Sequence, residues 1–167
     1  FMPFAYGGGV KTFDDFATLY KLGVEKVIVN SLIQQNPDVI KKVIEHYGAQ
    51  AVVGCVDYKK AMFGGLKPFS YCGEKIKLSI IDYAKYLAND LGVGELFLYS
   101  VDKDGTWEGY DEVTIAEVIN NIDIPIIVRL QGTNAIEAKK LIDESGLKVQ
   151  SAVQLSEAAD LVKQAVA

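Results

Sequence analysis

Three consecutive glycines follow the first apolar segment of the sequence. Gly7, Gly8 and Gly9 lie between Tyr6 and a segment of helical spacing that opens near Thr12. Glycine allows backbone N–H groups to approach an anion closely, and the N-terminus of a following helix adds partial positive charge. The pattern suits the binding of phosphate or of a phosphorylated small molecule. An ordinary tight turn between a strand and a helix explains it equally well.

Polar side chains also end the next two apolar segments. Asn30 and Ser31 end one of them, and they could donate to the same anion as the glycines or cap a helix. Asp57 ends the other. A partly desolvated carboxyl group can have its pKa raised toward neutrality, which suits a general acid or base. An ion pair of Asp57 with Lys59 or Lys60 is the structural alternative.

A further apolar segment leads into a stretch rich in acidic residues, glycine and hydroxyl groups. Asp104 and Gly105 lie in this stretch, between Ser100 and Asp111. The mixture predicts a second site for an anion or a polyol, or a turn with Asp and Gly in their usual positions. Because His46 is the only histidine, neither a metal cage nor a histidine-based catalytic set can be assembled. We therefore expect no metal and no cofactor.

Length and composition indicate a globular protein of one domain, or of at most two small units that share a core. Of the 167 residues, 50% are hydrophobic, and the net charge of −5 argues against a nucleic acid or an anionic membrane as a partner. The two cysteines, Cys55 and Cys72, are too few for a disulfide framework. With neither a signal peptide nor an apolar run long enough for a membrane helix, the sequence predicts a cytoplasmic protein.

Short apolar segments alternate with segments of helical spacing along the whole chain. The predicted strands are Pro3–Tyr6, Lys26–Asn30, Ala51–Asp57, Glu95–Val101, Ile124–Leu130 and Lys148–Val153. They lack polar alternation, as is typical of parallel strands buried on both faces. The predicted helices begin near Phe13, Pro37, Ile80, Val113, Ala135 and Ser156. Six consecutive βα units predict an α/β fold with a parallel sheet, and residues 59–77 predict a hairpin-like excursion after the third strand.

Several of these motifs, in their order and spacing, resemble one enzyme family. The matching stretches are Ala5–Val10, Gly23–Ser31, Val52–Lys59, Phe69–Gly73 and Ser100–Asp111. From residue 1 to about 111 the chain resembles the cyclase subunit of imidazole glycerol phosphate synthase, especially the branch associated with amidation of surface sugars. The resemblance implies an eight-unit barrel that takes ammonia from a glutaminase partner and cyclises a bis-phosphorylated substrate.

The resemblance also implies roles for individual residues. The implied residues are Gly7, Gly8, Asn30 and Ser31 for one phosphate, Asp104 and Gly105 for the other, Asp57 for acid–base catalysis, and Lys26 and Glu95 for a charged ring at the ammonia entrance. Residues 1–121 would supply the third to sixth strands of a partial TIM barrel. The chain begins inside an apolar segment, which predicts that it was cut from something longer. The first strand, with a second catalytic aspartate, and the second strand are expected to be missing.

Residues 122–167 resemble a different family. The stretch Ile124–Asn134 is similar to the end of the succinyl-CoA synthetase β subunit, which implies a flavodoxin-like extension packed into the same domain. This predicts an engineered, non-catalytic chimera that retains part of a phosphate site. The alternatives are an ammonia-using cyclase and a protein-interaction module that docks through its last two helices. Because six units leave a barrel open, a homodimer is also expected.

Overall fold

The computed structural model describes residues 4–62, 64–73, 75–106, 109–128, 140 and 143–144. The strands are β1 (Ala5–Gly7), β2 (Lys26–Val29), β3 (Val52–Lys60), β4 (Leu66–Pro68), β5 (Glu95–Ser100) and β6 (Ile126–Val128). The helices are α1 (Phe13–Lys21), α2 (Ser31–Gln35), α3 (Pro37–Tyr47), α4 (Ile80–Lys85) and α5 (Glu112–Ile119). A 3₁₀ turn (Ala49–Ala51) precedes β3, and a π-helical turn (Tyr86–Leu91) continues α4. The predicted strand at 148–153 and the helix beginning at 156 lie outside the described residues; of the predicted helix beginning at 135, residues 140, 143 and 144 are described, and all three are helical.

The described strands form one sheet in the order β1-β2-β3-β5-β6, and neighbours along this path are parallel. Strand β4 pairs antiparallel with the end of β3, which confirms the predicted hairpin excursion. Consecutive strands that lie side by side, joined by right-handed crossovers, have all their helices on one face. This is the strand order of a TIM barrel. The α/β fold of consecutive βα units is confirmed, and the described part has a partial TIM-barrel-like arrangement.

The two faces of the sheet differ in what covers them. A Cβ atom at Gly54 would lie 3.2 Å from Val93 and 3.3 Å from Leu87, so this position faces the helices. Val56 has the same orientation and belongs to the main hydrophobic core. Because side chains alternate along a strand, Asp57 points to the opposite face.

Local sequence signals explain where the first helices begin and end. Thr12 accepts a hydrogen bond from the Asp15 amide and starts α1, as the sequence predicts. Pro37 occupies the first turn of α3, and Gly48 follows its last residue. The short helix α2 is absent from the prediction, because five residues carry too little periodicity to be recognised.

Candidate functional site

Asp57 lies at the carboxyl end of β3 on the face away from the helices, and only 4% of it is exposed. Its Oδ2 atom accepts a hydrogen bond from Asn30 Nδ2 at 2.6 Å, and its Oδ1 atom accepts one from Cys55 Sγ at 2.8 Å. The ammonium group of Lys59 instead lies 3.8 Å from the centroid of the Phe69 ring. The structure therefore supports a buried, hydrogen-bonded carboxylate rather than an ion pair with a neighbouring lysine.

Burial and hydrogen bonding act on the Asp57 carboxyl in opposite directions. Desolvation raises the pKa of Asp57 above its usual value of 3.8, while the bonds from Cys55 and Asn30 lower it. Burial also raises the pKa of the Cys55 thiol well above its usual value, and the nearby Asp57 carboxylate raises it further. Cys55 is therefore a neutral S–H donor at physiological pH, not a thiolate.

The glycine loop and Asn30 meet at the same edge of the sheet. Gly7 pairs with Ile28 in the parallel β1–β2 ladder, so Gly8 and Gly9 follow β1 beside the end of β2. Both have positive φ angles, 114° and 71°, and no heavy atom lies within 4 Å of where a Cβ atom would be placed on either. The loop thus adopts a backbone that favours glycine and leaves open space over it.

Asn30 does not act as the helix cap that the sequence allows as an alternative. It precedes α2, which begins at Ser31, but its side chain makes no capping hydrogen bond. The amide group of Asn30 donates to Asp57 instead. Asn30 therefore joins the end of β2 to the carboxylate on β3, and Ser31 lies beside it at the same edge.

The N-terminus of α1 is already neutralised by a side chain of the chain itself. The backbone amides of Lys11 and Thr12 both donate to Asp15 Oδ2, at 3.0 and 2.8 Å, and these bonds lower the pKa of Asp15. The sequence instead predicts that this helix end attracts an anion. An anion in the loop would depend on the amides of Gly8 and Gly9.

Asp104 and Gly105 lie in a turn after β5, as one of the two sequence interpretations expects. The Tyr99 hydroxyl donates to Asp104 Oδ2 at 2.6 Å, and this bond is the main reason why the pKa of Tyr99 is raised to about 12. A negative carboxylate at this position opposes an anion, which would have to bind backbone amides. The second phosphate site stays a prediction.

An aromatic side chain that is not among the predicted site residues extends over the same edge. Tyr71 lies in the loop after β4 with 61% of its surface exposed, and its ring packs edge-on against Phe69 at 4.8 Å. Partial burial raises the pKa of Tyr71, and the charges of Asp57 and Asp104 raise it further. The Phe69 amide donates to the backbone carbonyl of Asp57 at 2.7 Å, which holds this loop against β3.

Lys26 and Glu95 form a buried ion pair at the opposite end of the sheet. They begin β2 and β5, on either side of β3. Glu95 is in register with Val53, which lies on the same side of β3 as Asp57. Val53 is four residues before Asp57, so at about 3.3 Å per residue the pair lies roughly 13 Å from Asp57 along the strand direction. The Lys26–Glu95 pair and Asp57 therefore lie on the same face of the sheet, at opposite ends of its strands.

Within the part of the chain that the structure describes, no group of three or more His, Cys, Asp or Glu side chains could hold a metal ion. None of the helices described there is long and apolar enough to cross a membrane.

The parallel sheet, whose βα units follow one another in sequence order, defines a TIM-barrel-like protein. The glycine turn, the Asn30 amide and the Asp57 carboxylate form a candidate site at the carboxyl ends of its strands, where ligands of this fold bind. The chain belongs to the histidine biosynthesis protein family, whose model matches residues 1–129. The matched region is longer than residues 1–111, the part of the sequence that resembles the cyclase subunit.

Individual relatives agree with this assignment. The chain is 38% identical over 128 residues to the "Putative imidazole glycerol phosphate synthase subunit hisF2" of Pseudomonas aeruginosa, covering 76% of this chain and 51% of the relative. It is 37% identical over 128 residues to the "Imidazole glycerol phosphate synthase subunit HisF" of Alkaliphilus metalliredigens, covering 76% and 50%. The chain thus spans about half the length of these relatives.

A third relative bears on the tail of the chain. The "Putative imidazole glycerol phosphate synthase subunit HisF" of Leptospira borgpetersenii is 38% identical over 149 residues, which cover 87% of this chain and 58% of the relative. Such a match must extend past residue 121. The comparisons give the synthetase-like tail and the chimera no support, and they favour the cyclase interpretation over the non-catalytic one.

Proposed function

We propose that the chain forms part of an ammonia-using cyclase of the imidazole glycerol phosphate synthase type, with Asp57 as a catalytic base. The observation that carries this proposal is the buried Asp57 carboxylate, which joins Asn30 beside the glycine loop at the carboxyl edge of the sheet. Ligands of parallel βα folds bind at this edge. The relatives, which are named as subunits of this synthase, support the same reaction class.

The hydrogen bonds of Asp57 favour the role of a base over that of an acid. Each carboxylate oxygen accepts one bond, from Cys55 or from Asn30, and hydrogen bonds to the charged form stabilise it. Desolvation opposes them and raises the pKa of Asp57, which makes the carboxylate a stronger proton acceptor. The acid that completes the reaction would come from another group of the assembled enzyme.

The glycine loop is the proposed phosphate site. Gly8 and Gly9 have positive φ angles and open space where a side chain would project, and backbone amides in such glycine turns can bind an anion. Asn30 and Ser31 border this space from the neighbouring strand. One phosphate of the substrate bound there would place the rest of the molecule over Asp57.

The buried pair of Lys26 and Glu95 is the proposed end at which ammonia enters. It lies at the edge opposite the glycine loop and on the same face as Asp57. Among the described residues, buried Glu95 Oε2 has no hydrogen-bond partner, so it could accept a hydrogen bond from a passing ammonium ion or ammonia molecule. A glutaminase partner docked at this edge would supply that ammonia.

Inorganic phosphate, titrated into the isotopically labelled protein, tests the glycine loop. We expect the NMR signals of the Gly8 and Gly9 amides to shift with saturable binding, and Gly9→Ala to weaken the affinity at least about tenfold, or about 1.4 kcal/mol. Gly64→Ala is the matched control, because Gly64 has a φ of 74° against 71° at Gly9 and equally open surroundings. Equal weakening in both variants, or unshifted loop amides, would contradict the phosphate site.

A further inference from the structure

We propose that Cys55 is a positioning residue whose thiol orients the Asp57 carboxylate and keeps it ready to accept a proton. The contact between Cys55 and Asp57 is present in the structure whatever reaction the protein catalyses. Only the catalytic consequence of that contact rests on the proposed function.

The geometry gives Cys55 a specific partner. Residues two apart on a strand point to the same face, so the thiol on β3 stands beside the carboxylate on the side away from the helices. Sγ lies 2.8 Å from Asp57 Oδ1, and 8% of Cys55 is exposed. Asn30 holds the other oxygen at 2.6 Å. With one donor on each oxygen, the plane of the carboxylate is fixed between β2 and β3.

The chemical state of the thiol suits a donor and not a nucleophile. Burial raises the pKa of Cys55 well above its usual value, and the charge of Asp57 adds to that effect. The sulfur therefore keeps its proton while Asp57 is ionised. When Asp57 takes up a proton, Oδ1 becomes a weaker acceptor, so the S–H bond reports the charge of the carboxylate.

Among the described residues, three tyrosines from other elements have a pKa that the charge of Asp57 helps to raise. Tyr71 comes from the loop after β4, Tyr83 from α4 and Tyr99 from β5, and the pKa of each is raised. They are all neutral over the acidic range in which Asp57 titrates. Asp104, which accepts a hydrogen bond from Tyr99, is the other carboxylate near these tyrosines, so its NMR signal must be assigned separately from that of Asp57.

The test is the titration of the Asp57 carboxyl carbon, followed by NMR in the unmodified protein and in variants. We expect Cys55→Ala to move the midpoint upward, because the charged form loses a donor, and Cys55→Ser to restore most of the original midpoint. Cys72→Ala, with a partly exposed thiol bonded to Ser70, is the control and should leave the Asp57 midpoint unchanged. An unaltered midpoint in Cys55→Ala would overturn the proposal.

A second measurement avoids variants altogether. The infrared S–H stretching band of the buried thiol should move to higher frequency as acid protonates Asp57, with the same midpoint as the carboxyl carbon; a band insensitive to that titration would overturn the proposal.

In an active assembly, the acidic limb of the pH profile of kcat should shift to higher pH in the Cys55→Ala variant. A shifted carboxyl titration without any cyclase turnover would support the contact and refute the proposed function.

Discussion

Asp57→Asn is expected to lower ammonia-dependent cyclase turnover by about 10²–10⁴-fold, the usual contribution of a general base. Asparagine has nearly the same shape but cannot accept a proton at the position between Asn30 and Cys55. The unmodified protein should lose turnover as the pH falls through the pKa of Asp57, which burial raises above 3.8, because only the ionised carboxylate is a base. Turnover with ammonium salts and the bis-phosphorylated substrate is the measurement.

Asp102→Asn is the matched control for this loss. Asp102 is an exposed carboxylate near the same edge that accepts a hydrogen bond from the Lys60 amide. Turnover should change far less in Asp102→Asn than in Asp57→Asn. Equal losses in the two variants would contradict the assignment of the base, and so would an unmodified protein that shows no ammonia-dependent turnover.

Lys26→Met is expected to lower the free energy of unfolding by about 3–5 kcal/mol, the typical cost of breaking a buried ion pair. Lys26 is 8% exposed and Glu95 is 7% exposed, and Glu95 Oε2 lacks a hydrogen-bond partner within the described part of the chain. Removing the ammonium group would leave the whole carboxylate buried without a counter-charge. Urea unfolding, followed by circular dichroism, measures the loss.

Two further variants show whether the uncompensated charge is the cause. Lys26→Met combined with Glu95→Leu should recover most of the stability, because replacing both partners removes the buried charge. Lys140→Met breaks a surface pair with Glu144, whose side chains are 73% and 62% exposed, and should cost less than about 1 kcal/mol. A double variant as unstable as Lys26→Met alone would contradict the electrostatic explanation.

The sequence predicted those parts of the fold that depend on local signals. The cap at Thr12, the proline at Pro37 and the glycine at Gly48 mark the ends of α1 and α3 because each acts on its own helix. Strand β3 continues to Lys60, three residues beyond the prediction, because it pairs there with β4. That extension depends on a partner strand and could not be predicted from the apolar run alone.

The site was predictable by position but not by its contacts. Asp57 could be recognised as the polar end of a buried strand, and the structure places it at the expected edge. Its two donors were missed, because Cys55 resembles a core residue and Asn30 a helix cap. The i, i+2 spacing in β3 was the available signal for Cys55, whereas the approach of Asn30 depends on how β2 pairs with β3.

A crystal structure of the protein grown in phosphate tests the central claim most directly. The account predicts a phosphate whose oxygens accept hydrogen bonds from the amides of Gly8 and Gly9, beside Ser31, with Asp57 still held by Asn30 and Cys55. An empty loop with both glycine amides turned away from the space above Asp57, in crystals soaked at saturating phosphate, would contradict it.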